Sequence, residues 1–271
     1  MAAFVPRGPR APAGFTRQEH DVNGVRTVVH VGGKGRPLVY WHGGGSWHGF
    51  DFAAPWLEHF QVIAPSHPGW GASADAPPDM SSMSDYVLHY LDLFDRLGLG
   101  QIDIVGISMG GWMGAEFASA YPERIRRLVL VAPAGLADPA HPGPSGLASW
   151  SLDEMYSYLV EDMATLEPHL PKNADDAARH AAEVEREMQS AGRLFGAGGP
   201  FNPKLPRWLH RATMPALVVW SKADRLSPFE RHEQWLKLLP NARLKLVERG
   251  GHLTLDESAE AREAIVRFLT D

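Results

Sequence analysis

The sequence predicts an α/β protein: a mostly parallel sheet with helices on both faces. Three observations lead there. Strand-like and helix-like apolar stretches alternate along most of the chain. The strand-like ones, such as 37–41, 216–220 and the 128–132 part of the strand 125–132, are continuously apolar, as strands covered on both faces are. Another, 101–106, runs straight into Gly106-Ile107-Ser108-Met109-Gly110, and a buried-helix pattern then continues to Tyr121, stopped by Pro122.

The elements follow in order. Residues 17–31 alternate polar and apolar around Asn23-Gly24, a strong hairpin signal. Residues 37–41 form a short strand, followed at once by His42-Gly43-Gly44-Gly45-Ser46. A short helix is expected over 52–60, a buried strand over 61–65, and a loop rich in Pro, Gly and Ser over 66–78. Val87, Leu88, Leu91, Phe94 and Leu97 have helical spacing within 84–97, closed by Gly98. The strand, turn and helix around Ser108 come next, then the strand 125–132, ended by Pro133. From 134 to 210 the rhythm breaks. Two helices are expected there, 151–166 with a capping-box spacing between Ser151 and Glu154, and 174–194, heavily charged. A loop over 196–206 follows, and no strand is evident, so we read a helical insertion over the carboxyl edge of the sheet. Strands at 216–220 and 243–247, a helix at 228–239 and a closing helix at 258–269 complete the chain. The domains expected are a lead-in at 1–14, a core of 15–133 and 211–271, and a helical cap at 134–210.

Bulk properties narrow the function. The chain has 271 residues and a hydrophobic fraction of 44%, enough for one large α/β domain. A net charge of −6 offers no electrostatic case for nucleic acid or an anionic membrane. The absence of cysteine excludes disulfides and thiol catalysis. No apolar run is long enough to span a bilayer. Residues 1–14, rich in Pro, Gly, Ala and Arg, lack the apolar stretch of a signal peptide and read as a loose lead-in. The cytoplasm is the expected location, with the chain a monomer or homodimer.

A serine at a strand-to-helix turn is where a nucleophile elbow belongs. The sharp turn aims Oγ away from the sheet edge, and glycines two before and two after allow the close approach that the turn demands. A serine hydroxyl needs a base, and the base an acid that fixes its tautomer. Groups able to converge on Ser108 lie just past other strands, at their carboxyl ends. His252 follows the last strand in Arg249-Gly250-Gly251-His252 and is the best base; His42, His48 and His67 are rivals by position. Asp224, four residues past a strand, is the best acid, ahead of Asp138. Asp256 could also approach, but reads first as the N-cap of the last helix. The order Ser108, Asp224, His252 is the α/β-hydrolase order, not the trypsin-like or subtilisin-like one. An oxyanion hole needs two donors: the Met109 N–H and one from the triple-glycine loop, for which we favour Gly44 between Gly43 and Gly45. His42 reads as a structural residue beneath that loop. The loop lacks the Lys-Ser/Thr of a phosphate-binding loop, and His232-Glu233 lacks the second histidine of a zinc site, since position 236 is Leu. No metal or cofactor is expected.

Together, His42-Gly43-Gly44-Gly45, Pro68-Gly69-Trp70-Gly71-Ala72-Ser73, Gly106-Ile107-Ser108-Met109-Gly110-Gly111, Asp224 and Gly251-His252 resemble the α/β-hydrolase superfamily over nearly the whole chain outside the lead-in and the insertion. The resemblance implies an eight-stranded, mostly parallel sheet, a cap after the sixth strand, no cofactor, and Ser108, His252 and Asp224 as nucleophile, base and acid. The chain departs from the pattern twice. Ser66 stands where the family's Asp-x-x-Gly-x-Gly-x-Ser loop has its Asp. Leu253 stands where the carbon–carbon bond hydrolases of ring-cleavage products carry a Trp, although Gly43-Gly44-Gly45 and Ala132-Pro133-Ala134-Gly135-Leu136 resemble theirs. The leading expectation is therefore a serine carboxylic-ester hydrolase acting on a small ester-like molecule. The alternative is the same triad cleaving a carbon–carbon bond in a vinylogous diketone acid or opening a lactone, with Arg193, Arg207 or Arg211 meeting the substrate carboxylate. A third is a non-catalytic binding protein on this fold. Trp47, His48 and Trp150 are the expected lining of the substrate space, beside Gly43 and Gly45.

Overall fold

The computed structural model describes residues 8, 9, 11–146 and 149–271. Of the expected lead-in, residues 1–7 and 10 lie outside the described residues, and Ala11 packs on the core. Eight strands form one sheet: β1 (Phe15–Val22), β2 (Val25–Gly32), β3 (Arg36–Trp41), β4 (Phe60–Pro65), β5 (Ile102–Ile107), β6 (Ile125–Val131), β7 (Ala216–Ser221) and β8 (Ala242–Val247). Their order is β1-β2-β4-β3-β5-β6-β7-β8. β2 is antiparallel to both of its neighbours, and every other pair is parallel. The hairpin turns where expected: Asn23 (φ 53°) and Gly24 (φ 84°) both adopt the left-handed conformation of the tightest two-residue connection.

Side chains of the central strands alternate between two cores, which is why stretches such as Leu38–Trp41, Leu128–Val131 and Ala216–Trp220 are apolar on both faces. Val39, Trp41, Leu128, Leu130, Val218 and Trp220 enter the core beneath α1 (Met83–Arg96) and α2 (Met109–Ala120). Leu38, Tyr40, Val129, Val131, Leu217 and Val219 enter the other. That second core is closed by the 3₁₀ helix Asp51–Glu58, α6 (Thr254–Glu257) and α7 (Ala259–Thr270). α5 (His232–Leu238) packs beside β7 and β8 on the first face. The helix expected over 52–60 is thus a tighter 3₁₀ coil with Pro55 inside it.

Between β6 and β7 the described residues hold no strand. They form α3 (Leu152–Leu159), α4 (Ala174–Phe195) and short 3₁₀ turns, with one isolated bridge between Gly135 and Phe201. The helix expected over 151–166 stops at Leu159. There Val160 becomes extended, and the chain is drawn away by tertiary bonds. Leu253 N donates to Leu159 O, while the Glu257 carboxylate accepts from the N–H groups of Glu161 and Asp162. No helix among the described residues is long and apolar enough to cross a membrane.

Two glycines of α2 provide a contrast that tests this packing. A Cβ on Gly110 would lie 2.2 Å from Trp41 O, whereas one on Gly114 would meet side-chain carbons of Leu128 and Leu130 at 3.4 and 3.5 Å. Gly110→Ala should therefore cost about 2 kcal/mol or more, because backbone must move. Gly114→Ala should stay within about 1 kcal/mol, since helix propensity favours alanine. Urea unfolding of both variants checks this; equal effects would contradict it.

Candidate active site

Ser108 sits between β5 and α2 with φ 53° and ψ −115°, a conformation that costs a non-glycine residue on the order of 1–3 kcal/mol. The surroundings hold it there. Ser108 N donates to Val131 O, and Ser108 O accepts from Trp112 N and Ala134 N. Gly106 and Gly110 flank it because no side chain fits: a Cβ on Gly106 would lie 2.3 Å from Gly110 O. Met109 opens α2, so its N–H has no carbonyl a turn earlier to bond.

The loop after β3 runs alongside the serine. A Cβ on Gly43 would lie 3.3 Å from Ser108 Cβ and 3.9 Å from its Oγ, while one on Gly44 would meet nothing within 4 Å. The backbone of this loop is therefore next to the serine, with open space at Gly44. Gly44 O is fixed by Trp70 Nε1 at 2.8 Å. His42 is buried beneath the loop, as expected. Its Nε2 accepts from His67 N at 3.1 Å, so its proton resides on Nδ1, which donates to Gly43 O at 2.8 Å. Burial lowers its pKa to about 4, so the ring stays neutral. His67 is also buried, with Nε2 donating to His42 O and Nδ1 accepting from the Tyr90 hydroxyl. Ser46 is held by a carboxylate from α4: Glu187 accepts from Ser46 N at 2.7 Å, from Ser46 Oγ at 2.5 Å and from Gly71 N at 3.0 Å.

Asp224 and His252 meet past the ends of β7 and β8. His252 Nδ1 lies 2.9 Å from Asp224 Oδ2, with both side chains buried. The other oxygen, Oδ1, accepts from Leu226 N at 3.0 Å and Ser227 N at 2.8 Å. One carboxylate thus shapes its own turn and orients the imidazole, leaving Nε2 as the acceptor nitrogen. The His252 loop is braced from the inserted segment: Gly250 N donates to Glu161 Oε2 at 2.7 Å, and a Cβ on Gly251 would lie 2.7 Å from Leu159 O. No hydrogen bond joins Ser108 Oγ to His252 among the described residues. That contact is commonly long in an unliganded site and tightens with substrate.

The remaining expected residues divide. Trp47 packs against Tyr156, with ring centroids 4.9 Å apart, in an apolar cluster with Val160, Leu166, Val184 and Leu253. A Cβ on Gly45 would touch the same indole at 3.3 Å. Trp150 is engaged elsewhere, stacked on Tyr158 at 4.4 Å. Asp138 is paired with His141 Nδ1 at 3.0 Å. Asp256 is not the N-cap of the last helix; Ser258 is, its Oγ accepting from Ala261 N. Asp256 instead lies inside α6, largely enclosed, with its buried Oδ2 without a hydrogen-bond partner and 3.9 Å from Nε2 of the buried His48. No local signal in the sequence marks Glu187 or Tyr90, or the partners of His67 and Asp256, since each is brought to its neighbours over long range. Among the described residues no three His, Cys, Asp or Glu side chains group as metal ligands.

Burial pushes the Asp256 carboxyl up to about 8, against a pull downward from Arg262. A carboxyl whose folded pKa is raised stabilises the fold fully below its unfolded value, and that stability is lost as pH climbs to the folded value. Asp256→Asn removes the titration. The difference in Tm, variant minus wild type, should rise from pH 4 to pH 8, the two pKa values bounding the window. Parallel Tm curves across that range would contradict the assignment.

The chain matches the model of the Alpha/beta hydrolase family over residues 38–266. It is 29% identical over 272 residues to a poly(3-hydroxyalkanoate) depolymerase of Ectopseudomonas oleovorans, covering 94% of this chain and 92% of the other. It is 30% identical over 268 residues to a 2-hydroxymuconate semialdehyde hydrolase of Pseudomonas putida, covering 92% of each. In fold it superposes on the 2-hydroxy-6-oxo-6-phenylhexa-2,4-dienoate hydrolase of Rhodococcus sp. strain RHA1 with a TM-score of 0.79 and 22% identity, over 95% of this chain and 99% of that one. The strained serine after a central strand, the order of the eight strands and this family match together place the chain in the alpha/beta hydrolase family.

Proposed function

We propose that this protein is a serine hydrolase in which Ser108 attacks a carbonyl carbon, His252 is the base and Asp224 the acid. The observation that carries the reading is the buried Asp224–His252 pair, at the sheet edge where Ser108 stands on its strained turn. His252 Nε2 takes the Ser108 proton as Oγ bonds to the carbonyl carbon. The N–H groups of Met109 and Gly44 receive the oxyanion, and Asp224 stabilises the imidazolium. Collapse breaks the bond to the leaving group, which takes the proton from His252. Water, deprotonated by His252, then hydrolyses the acyl-enzyme and frees Ser108.

The relatives change the ranking of the bond cleaved. Ester hydrolysis led on sequence motifs alone, yet relatives at 28% and 30% identity are named 2-hydroxymuconate semialdehyde hydrolases. We therefore put first the cleavage of a carbon–carbon bond in a dienol keto acid, where the leaving group is a carbon atom made stable by ketonisation before attack. Ester cleavage stands second, on two observations. The relative named as a poly(3-hydroxyalkanoate) depolymerase is equally similar. And Arg193, Arg207 and Arg211, the expected partners of a substrate carboxylate, are all exposed, with Arg193 and Arg211 donating to the carbonyls of Ala76 and Ser119. An apolar wall of Trp47, Tyr156 and Leu253 near the base suits an apolar group next to the carbonyl in either case.

Two assays on wild type, Ser108→Ala and Asp224→Asn separate these readings: 2-hydroxymuconate semialdehyde, followed by loss of the dienol chromophore, and a chain-length series of p-nitrophenyl esters. The first reading expects dienol turnover well above ester turnover. Both expect Ser108→Ala to remove at least ~10³-fold of activity and Asp224→Asn to cost about 10⁴-fold in kcat. Ester turnover alone would move the second reading to first, and the absence of Ser108-dependent turnover of either substrate would contradict both.

A further inference from the structure

We propose that Glu187, on α4 of the inserted segment, is a positioning residue that sets the oxyanion loop through Ser46 and Gly71. This rests on the reading above, in which Gly44 and Met109 donate to the oxyanion. Glu187 is 3% exposed although it lies in the charged run Glu183-Val184-Glu185-Arg186-Glu187. Its partners are a backbone N–H and a hydroxyl of Ser46, two residues past Gly44, and the N–H of Gly71. Gly71 follows Trp70, whose indole N–H holds Gly44 O. One carboxylate therefore pins the loop that carries the oxyanion donor from both directions: directly at Ser46, and through the backbone that presents Trp70.

The local sequence shows why a carboxylate is needed from outside. Ser66 stands where the resembling family has Asp, and it faces the same place: a Cβ on Gly71 would lie 2.7 Å from Ser66 Oγ and 3.3 Å from Ser46 Oγ. With only hydroxyls there, the N–H groups of Ser46 and Gly71 would have no strong acceptor, and Glu187 supplies it. Burial pushes its carboxyl pKa up while the three donors pull against that shift. Docking of α4 and completion of the oxyanion loop are then one event, since the same side chain does both. Arg186, next along the helix, attaches α4 to the same neighbourhood without touching Ser46: it donates to Gly71 O, Ser73 O and Asp75.

That neighbour separates loop positioning from simple attachment of the helix. The test compares wild type, Glu187→Gln and Arg186→Ala by kcat and KM on the substrate that wild type turns over fastest, by Tm, and by hydrogen exchange of the Ser46 amide. Glu187→Gln is nearly isosteric but presents an amide donor to groups that are themselves donors. The expected result is a kcat lower by tenfold to a hundredfold, as for a donor moved by a fraction of an ångström to an ångström, with KM changed less than threefold. Ser46 exchange should accelerate in Glu187→Gln and remain as in wild type in Arg186→Ala, since Arg186 holds Gly71 O but makes no bond to Ser46. An unchanged kcat in Glu187→Gln would overturn the inference, and so would an equal acceleration of Ser46 exchange in Arg186→Ala. Unchanged Ser46 exchange would overturn it without reference to any substrate. Wild type lacking Ser108-dependent turnover would instead remove the underlying reading, and this inference with it.

Discussion

The arrangement depends on one close approach. The first turn of α2 crosses so near the end of β3 that Gly110 faces the carbonyl of Trp41, with room for a hydrogen and nothing larger. Three consequences follow. The chain between β5 and α2 has no length to relax, so Ser108 is left at φ 53°. The segment that leaves β3 must pass beside the serine, which makes Gly43 its neighbour. And the opening amides of α2 point to the same space, adding the positive end of a helix there. Ser108, the Gly43-Gly44 backbone and the opening amides of α2 are thus parts of one packing solution, reached because two adjacent parallel strands end together.

The other half of the site is assembled from the far side of the sheet. Asp224 and His252 lie on loops after β7 and β8, and neither loop is braced by the sheet alone. Asp224 closes its own turn with one oxygen and orients the imidazole with the other. The glycines before His252 bring its backbone against Leu159 and Val160 of the inserted segment. Trp47, Tyr156 and Leu253 then join the loop after β3, that segment and the residue after the histidine in one apolar cluster. Leu253, where related carbon–carbon bond hydrolases are expected to carry Trp, is used here for packing. The segment between β6 and β7 is therefore built into the supports of the site, through Leu159, Glu161 and Glu187.

What was legible in the sequence is what local chemistry dictates. Asn23-Gly24 specifies its turn, Gly106 and Gly110 announce the close approach, and Gly250-Gly251 allow His252 to turn back. Each signal lies within a few residues of its effect. The order of β3 and β4 in the sheet was not legible, because it is settled by crossovers whose outcome depends on the whole sheet. Nor was the end of α3, which helix propensity would carry past Leu159 but which bonds to Leu253 and Glu257 cut short. Glu187 and Asp256 were hidden for the same reason. A glutamate in a charged helix and an aspartate near a helix start look solvated, and only the tertiary fold buries them.

The central claim is that Ser108 is chemically activated by the His252–Asp224 pair. Its most direct measurement is the rate at which a fluorophosphonate bonds to the protein, followed by peptide mass spectrometry. The account predicts a single adduct on Ser108 in wild type, formed at least a hundredfold more slowly in His252→Ala, since the general base supplies about 10²–10⁴-fold. No adduct on Ser108, or equal rates with and without the imidazole, would contradict it.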